Sequence, residues 1–140
     1  MSALYAVNFA ISCYLLGLIL TIQFVHYPGF LYVDKKHFHK FHLFHTRRIG
    51  LIVMAPMIVE LITSGLLVYY YPGPISISLL ILVILIWTST ALLSVPKHSR
   101  LAKEKNLQLI NELVRTNWPR TILWSLRVFI LAIVIIRASS

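Results

Sequence analysis

Four apolar runs leave this chain few ways to fold. They cover residues 4–25, 49–70, 75–95 and about 118–136, the last borrowing a turn from Trp118 to Arg120. Each approaches the ~20 residues that a helix rising 1.5 Å per residue needs to cross ~30 Å of hydrocarbon. In a bilayer the backbone must satisfy its own hydrogen bonds, so runs of this length become helices. The chain is 59% hydrophobic and only 12% charged, which is far from the make-up of a soluble domain. The expectation is an all-α, four-transmembrane-helix bundle, with residues 1–140 forming one integral membrane domain. The first run lacks a basic leader and reads as a retained helix.

The charge follows the same pattern. The formal net charge of +9 falls mostly in two segments between spans, with Lys35, Lys36, Lys40, Arg47 and Arg48 in one and Lys97, Arg100, Lys103, Lys105, Arg115 and Arg120 in the other. The connection Tyr69–Pro74, "YYYPGP", carries no charge. Basic connections stay in the cytoplasm, so the expected placement is multi-pass in the cell inner membrane with both termini outside the cytoplasm. The same distribution argues against a nucleic-acid partner, which would need a basic face on a soluble module. It does favour contact with anionic lipids at the cytoplasmic face. A homo-oligomer is left open, because small-xxx-small candidates such as Gly17 are too sparse to mark a dimer face.

Local signals shape the cytoplasmic side. Asp34 can cap a helix starting at Lys35 and running into the second span, with a kink at Pro56. Between spans three and four, "SRLAKEKNLQLINELVRT" places Leu101, Leu109, Ile110, Leu113 and Val114 near helical spacing. The expectation is a separate cytoplasmic amphipathic helix, with Pro119 restarting the chain in the first turn of helix four.

Four of the six histidines lie in "KKHFHKFHLFHTRR", Lys35 to Arg48. One reading is a metal or haem site, since imidazoles three apart share a helix face. The other is a basic interfacial helix whose Phe38, Phe41 and Phe44 sink into the bilayer boundary. Depth separates the tract: His45 lies one turn before the span, His42 one turn earlier, and His26 and His98 reach the same level from helices one and three. His26, His45 and His98 are therefore the candidate metal or haem ligands, or acid–base groups. Haem or a transition metal is the candidate cofactor. Cys13, alone, offers neither a disulfide nor a thiolate cluster.

Two charges lie deeper. Glu60 is ~16 Å past Ile49 and Arg127 ~15 Å past Asn117, at 1.5 Å per residue, so they share a depth and are expected to pair. Asn117, Arg120, Trp124 and Arg127 line one face of helix four, and Trp87, Ala91, Ser94 and His98 repeat the spacing on helix three. These stripes point to a pocket open toward the cytoplasm. The expected acid–base and anion-holding residues are His26, His45, Glu60, Arg120 and Arg127. His42, His98, Trp87, Trp124 and Asn117 would complete the cofactor or substrate wall. A channel would need polar lining at both ends and is disfavoured.

The segments "HYPGF", "HTRRIGLIVMAPMIVE", "VPKH" and "LVRTNWPRTILWSLR" together resemble an uncharacterised group of small bacterial four-helix integral membrane proteins. That resemblance implies the fold and the same polar residues but no reaction. The tail, with Asn117 and Trp118-Pro119-Arg120, is also similar to anthrone-oxygenase-like membrane proteins. Three readings follow: a membrane enzyme of redox or oxygenase type acting on an apolar substrate, a haem- or metal-binding protein, and a structural, lipid-interacting bundle. No nucleotide-binding glycine pattern, nucleophile elbow or zinc-protease motif is present.

Overall fold

A computed structural model describes residues 3–139. Four helical rods carry the chain: α1 (Ala3–Tyr32), α2 (Lys35–Tyr70), α3 (Pro74–Leu101) and α4 (Leu107–Ala138). All four are long and apolar enough to cross a membrane, and no strand occurs among the described residues. The short connections force neighbours to run antiparallel. Each rod packs on its neighbour in sequence, and α4 closes the ring against α1. Large apolar side chains such as Leu51, Ile62, Leu92, Ile122 and Phe129 stay exposed on the outside of this ring, where lipid is their natural solvent. The chain is a multi-pass membrane protein.

The helix boundaries follow local chemistry. Asp34 caps α2, its carboxylate accepting from the His37 amide at 3.0 Å. The His37 ring, bonded to the same carboxylate, is the first cause holding Asp34 below its usual value of 3.8. Pro56 lies inside α2 without ending it. The apolar stretch before span four does not form a separate amphipathic helix. It supplies the first turns of α4, capped by Asn106, whose side chain accepts from the Leu109 amide at 2.9 Å. Pro119 sits inside this continuous helix rather than at its start. Proline is tolerated within membrane helices because surrounding groups take up the freed carbonyl.

Two helices change winding. In α1 the segment Ile22–His26 is a π-turn, and in α3 so is Thr90–Ser94. Tyr27 N–H bonds the Ile22 carbonyl and Val95 N–H the Thr90 carbonyl, in each case five residues back. Both segments end just ahead of a proline, Pro28 or Pro96. A proline has no N–H for the carbonyl four residues earlier, and widening the preceding turn redistributes the bonds. Through the first of these turns α1 continues well beyond residue 25.

The basic end is tied together by the two connections on that side. Lys105 donates to the Leu31 carbonyl at 3.1 Å, Lys35 meets Glu104 at 3.1 Å, and the His39 ring contacts the Ala102 carbonyl at 2.9 Å. Beneath them Phe30, Phe38, Leu101, Leu109, Ile110 and Leu113 are buried in the larger apolar core. A smaller core around Leu67, Leu79 and Leu131 lies elsewhere in the bundle.

Candidate functional site

The polar groups inside the bundle form two centres. The deeper is built on Glu60 and Arg127, which are 1% and 0% exposed. Arg127 Nε donates to Glu60 Oε1 at 3.0 Å, giving the ion pair that matching depth predicts. Ser12 Oγ donates to the same oxygen at 2.7 Å, and Trp124 Nε1 donates to Oε2 at 3.1 Å. The rest of the guanidinium serves the Leu79 carbonyl, Asn8 Oδ1 at 2.9 Å and Ser64 Oγ at 3.2 Å. Asn8 in turn donates to Thr63 at 2.8 Å. All four helices contribute, so this centre is a knot through the bundle axis. A buried ion pair holds only when its remaining lone pairs and protons find partners, and here they do.

The second centre lies nearer the basic end, just past the π-turns. Arg120, 5% exposed, donates from Nη2 to the Tyr27 hydroxyl at 3.3 Å and to Asn117 Oδ1. Asn117 Nδ2 donates to Gln23 Oε1 at 2.7 Å, and Gln23 donates to the Val114 carbonyl at 3.2 Å. On the other side, Tyr27 Oη is 3.0 Å from His98 Nε2, and His98 Nδ1 is 3.1 Å from His42 Nε2. The direction of the Arg120–Tyr27 bond is fixed. Since Arg120 can only donate, the Tyr27 oxygen accepts and its proton is free for His98 Nε2. With Tyr27 as donor, His98 carries its proton on Nδ1 and offers it to His42 Nε2; with the other tautomer of both rings the same contacts run from His42 to Tyr27. Arg120, Tyr27, His98 and His42 thus form one line of donors and acceptors.

A cavity of about 270 Å³ opens beside this line. Tyr27, His45, Ser94, His98 and Arg120, with Thr46, Thr90 and Ser99, form its polar part, while residues such as Leu15, Val53, Met57 and Trp124 supply apolar wall. Among the described residues, no side chain hydrogen-bonds the His45 ring, and two cavity atoms, Arg120 Nε and Ser94 Oγ, are buried without a partner.

The residues singled out in the sequence separate accordingly. His45, His98, Arg120 and Trp124 line the cavity, His42 reaches it through His98, and Asn117 holds Arg120. His26 is half-buried with its ring centroid 5.2 Å from that of His45. Glu60 and Arg127 are absent from the cavity wall, and Trp124 bridges from that wall to the Glu60 carboxylate. Trp87 packs against the core, its indole nitrogen buried and unpartnered, and Ala91 is exposed. The rings of His45 and His98 stack at 6.2 Å between centroids, yet no group of three or more His, Cys, Asp or Glu among the described residues could hold a metal ion. Sequence reasoning missed Tyr27. A tyrosine beside His26 at a span end reads as interfacial belt, and its sole signal was its place one residue before Pro28.

No protein-family model, curated protein or solved structure matches the chain.

Proposed function

We propose that this membrane protein binds an apolar small molecule in the cavity and acts on its polar end by proton transfer, with Tyr27 and His98 as the acid–base pair and His42 as the group that exchanges the proton onward. The observation that carries this reading is the ordered line Arg120–Tyr27–His98–His42 along one end of an otherwise apolar cavity. Moving a proton along it needs only tautomer exchange in His98 and His42, each of which has one ring nitrogen facing the next member. His45, whose ring no side chain among the described residues hydrogen-bonds, is available to orient the ligand. Trp124 and Met57 accommodate the apolar part.

The protein is oriented in the cell inner membrane with its basic end in the cytoplasm and both termini outside. The uneven distribution of Lys and Arg supports this. In that orientation the exposed Lys36, Lys40, Arg47, Arg48, Arg100 and Lys103 face anionic lipid, each contributing roughly 1 kcal/mol to its attraction. Reporter enzymes active only outside the cytoplasm, fused at either terminus, test the orientation. Activity of neither fusion would reverse it.

The functional reading is tested by native mass spectrometry of protein released from its own membrane. A bound small molecule at one per chain is expected, and its loss in a Met57→Trp variant, which fills the cavity, would assign it there. Protein that carries no such mass, and whose tryptophan emission is indifferent to any apolar ligand, would end the proposal.

A further inference from the structure

We infer that the ligand is a single-chain amphiphile with an anionic oxygen head, a carboxylate or phosphate, which enters sideways from the bilayer between α2 and α3. This rests on the cavity being a ligand site, as proposed above, and goes beyond it in charge, shape and route.

The charge comes from Arg120. Its guanidinium is nine-tenths buried, forms no ion pair among the described residues, and leaves Nε without a hydrogen-bond partner. Its bonded neighbours, Tyr27 and Asn117, are neutral oxygens, and no carboxylate among the described residues lines the cavity. A buried cation held only by neutral groups is unfavourable until an anion arrives. An oxyanion supplies that charge and accepts charge-assisted hydrogen bonds that neutral oxygens do not match. Ser94 Oγ, a second unpartnered donor in the same wall, suits a head with more than one oxygen.

The route comes from the walls. The exposed lining residues are Gly50 and Met54 of α2 and Val95 and Ser99 of α3, while the α1 and α4 side chains of the lining are buried or half-buried. The mouth is therefore a slot between two apolar helices, on the outer surface of the ring. The shape comes from the volume: about 270 Å³ lies just below the ~300–1,000 Å³ of ordinary ligand sites. It suits a head and the start of one chain, with the remainder of the chain lying in lipid.

The test uses full-length protein in nanodiscs of zwitterionic lipid, titrated with palmitate, hexadecyl phosphate and hexadecanol, each brominated near the head so that binding quenches Trp124. At least one anionic ligand should bind about tenfold or more tighter than the alcohol, and Arg120→Gln should abolish the difference. Gly50→Phe, at a position where an added Cβ meets nothing within 4 Å, should slow entry of all three several-fold. Binding of the alcohol as tight as that of both anions would overturn the anionic head while leaving the cavity as a ligand site. Unchanged entry rates in Gly50→Phe would overturn the lateral route. Failure of all three to bind would remove the ligand site itself. The comparison of heads needs no variant, so a poorly folded Arg120→Gln would not rescue the proposal.

Discussion

Arg127 and Arg120 lie about two turns apart on the same face of α4, both buried, and they are treated differently by their surroundings. Arg127 has a carboxylate, a carbonyl and two neutral side chains around it, and reaches every other helix. Among the described residues Arg120 has only neutral partners, and an open cavity lies beside it. The first arrangement closes the bundle upon itself. The second leaves a charge whose complement has to come from outside. In a membrane protein, then, burial of an arginine says little until its counter-charge is located.

Breaking the closed centre should have the largest effect. Glu60→Gln leaves the Arg127 charge buried without its carboxylate, and the expected loss is about 3–5 kcal/mol, read as a large drop in thermal unfolding temperature in detergent. Replacing both partners, as Glu60→Leu with Arg127→Met, should recover much of that loss. A double variant no better than the single would mean that the knot's neutral hydrogen bonds, rather than its charge balance, hold the helices.

Tyr27→Phe should come next. It removes the oxygen between Arg120 and His98 and leaves both short of a partner, at about 1–3 kcal/mol. It should also interrupt proton exchange between His98 and His42, seen as separate ring signals by nitrogen NMR. Asp34→Ala, at an exposed carboxylate, should cost less than either. That difference from wild type should be present at neutral pH, because the folded carboxyl titrates below its unfolded value of about 3.9. It should shrink as pH falls through the lower, folded value.

The smallest expected effect is the most discriminating. Arg120→Gln removes a buried charge that no carboxylate among the described residues balances, so unfolding of the ligand-free protein should show no loss of stability. Its stabilisation by added anionic amphiphile should disappear. A loss comparable with that of Glu60→Gln would show that the two arginines are structural ties of one kind, and the comparison would fail.

How far the sequence revealed these centres depended on which physical quantity each required. Glu60 and Arg127 could be paired because depth needs only a residue count along regular helices from a common surface. The spans were legible for a similar reason, since length and apolarity are local. The Tyr27–His98 contact was not legible, because it depends on two changes of winding that alter which face each helix presents. Pro119 was misleading in another way: proline favours first turns in water-soluble helices, but here α4 runs through it. Of the three histidines expected at one level, His26 and His98 each bring a ring beside that of His45. Their rings stack and tilt according to packing, which residue spacing does not encode.

The π-turn in α1 has a consequence for what insertions and deletions the chain can tolerate. Asn8 and Ser12, which serve the Glu60–Arg127 knot, lie before it, and Tyr27, which serves Arg120, lies after it. An α-helix turns by about 100° per residue. Removing one residue from Ile22–His26 would leave four residues of regular winding, about 400°, close to what the five residues of the wider turn sweep, so the two sets of groups would keep their phase. A deletion inside the π-turn is therefore absorbed, whereas one in the regular helix between Ser12 and Ile22 would turn the groups of the two centres about 100° apart.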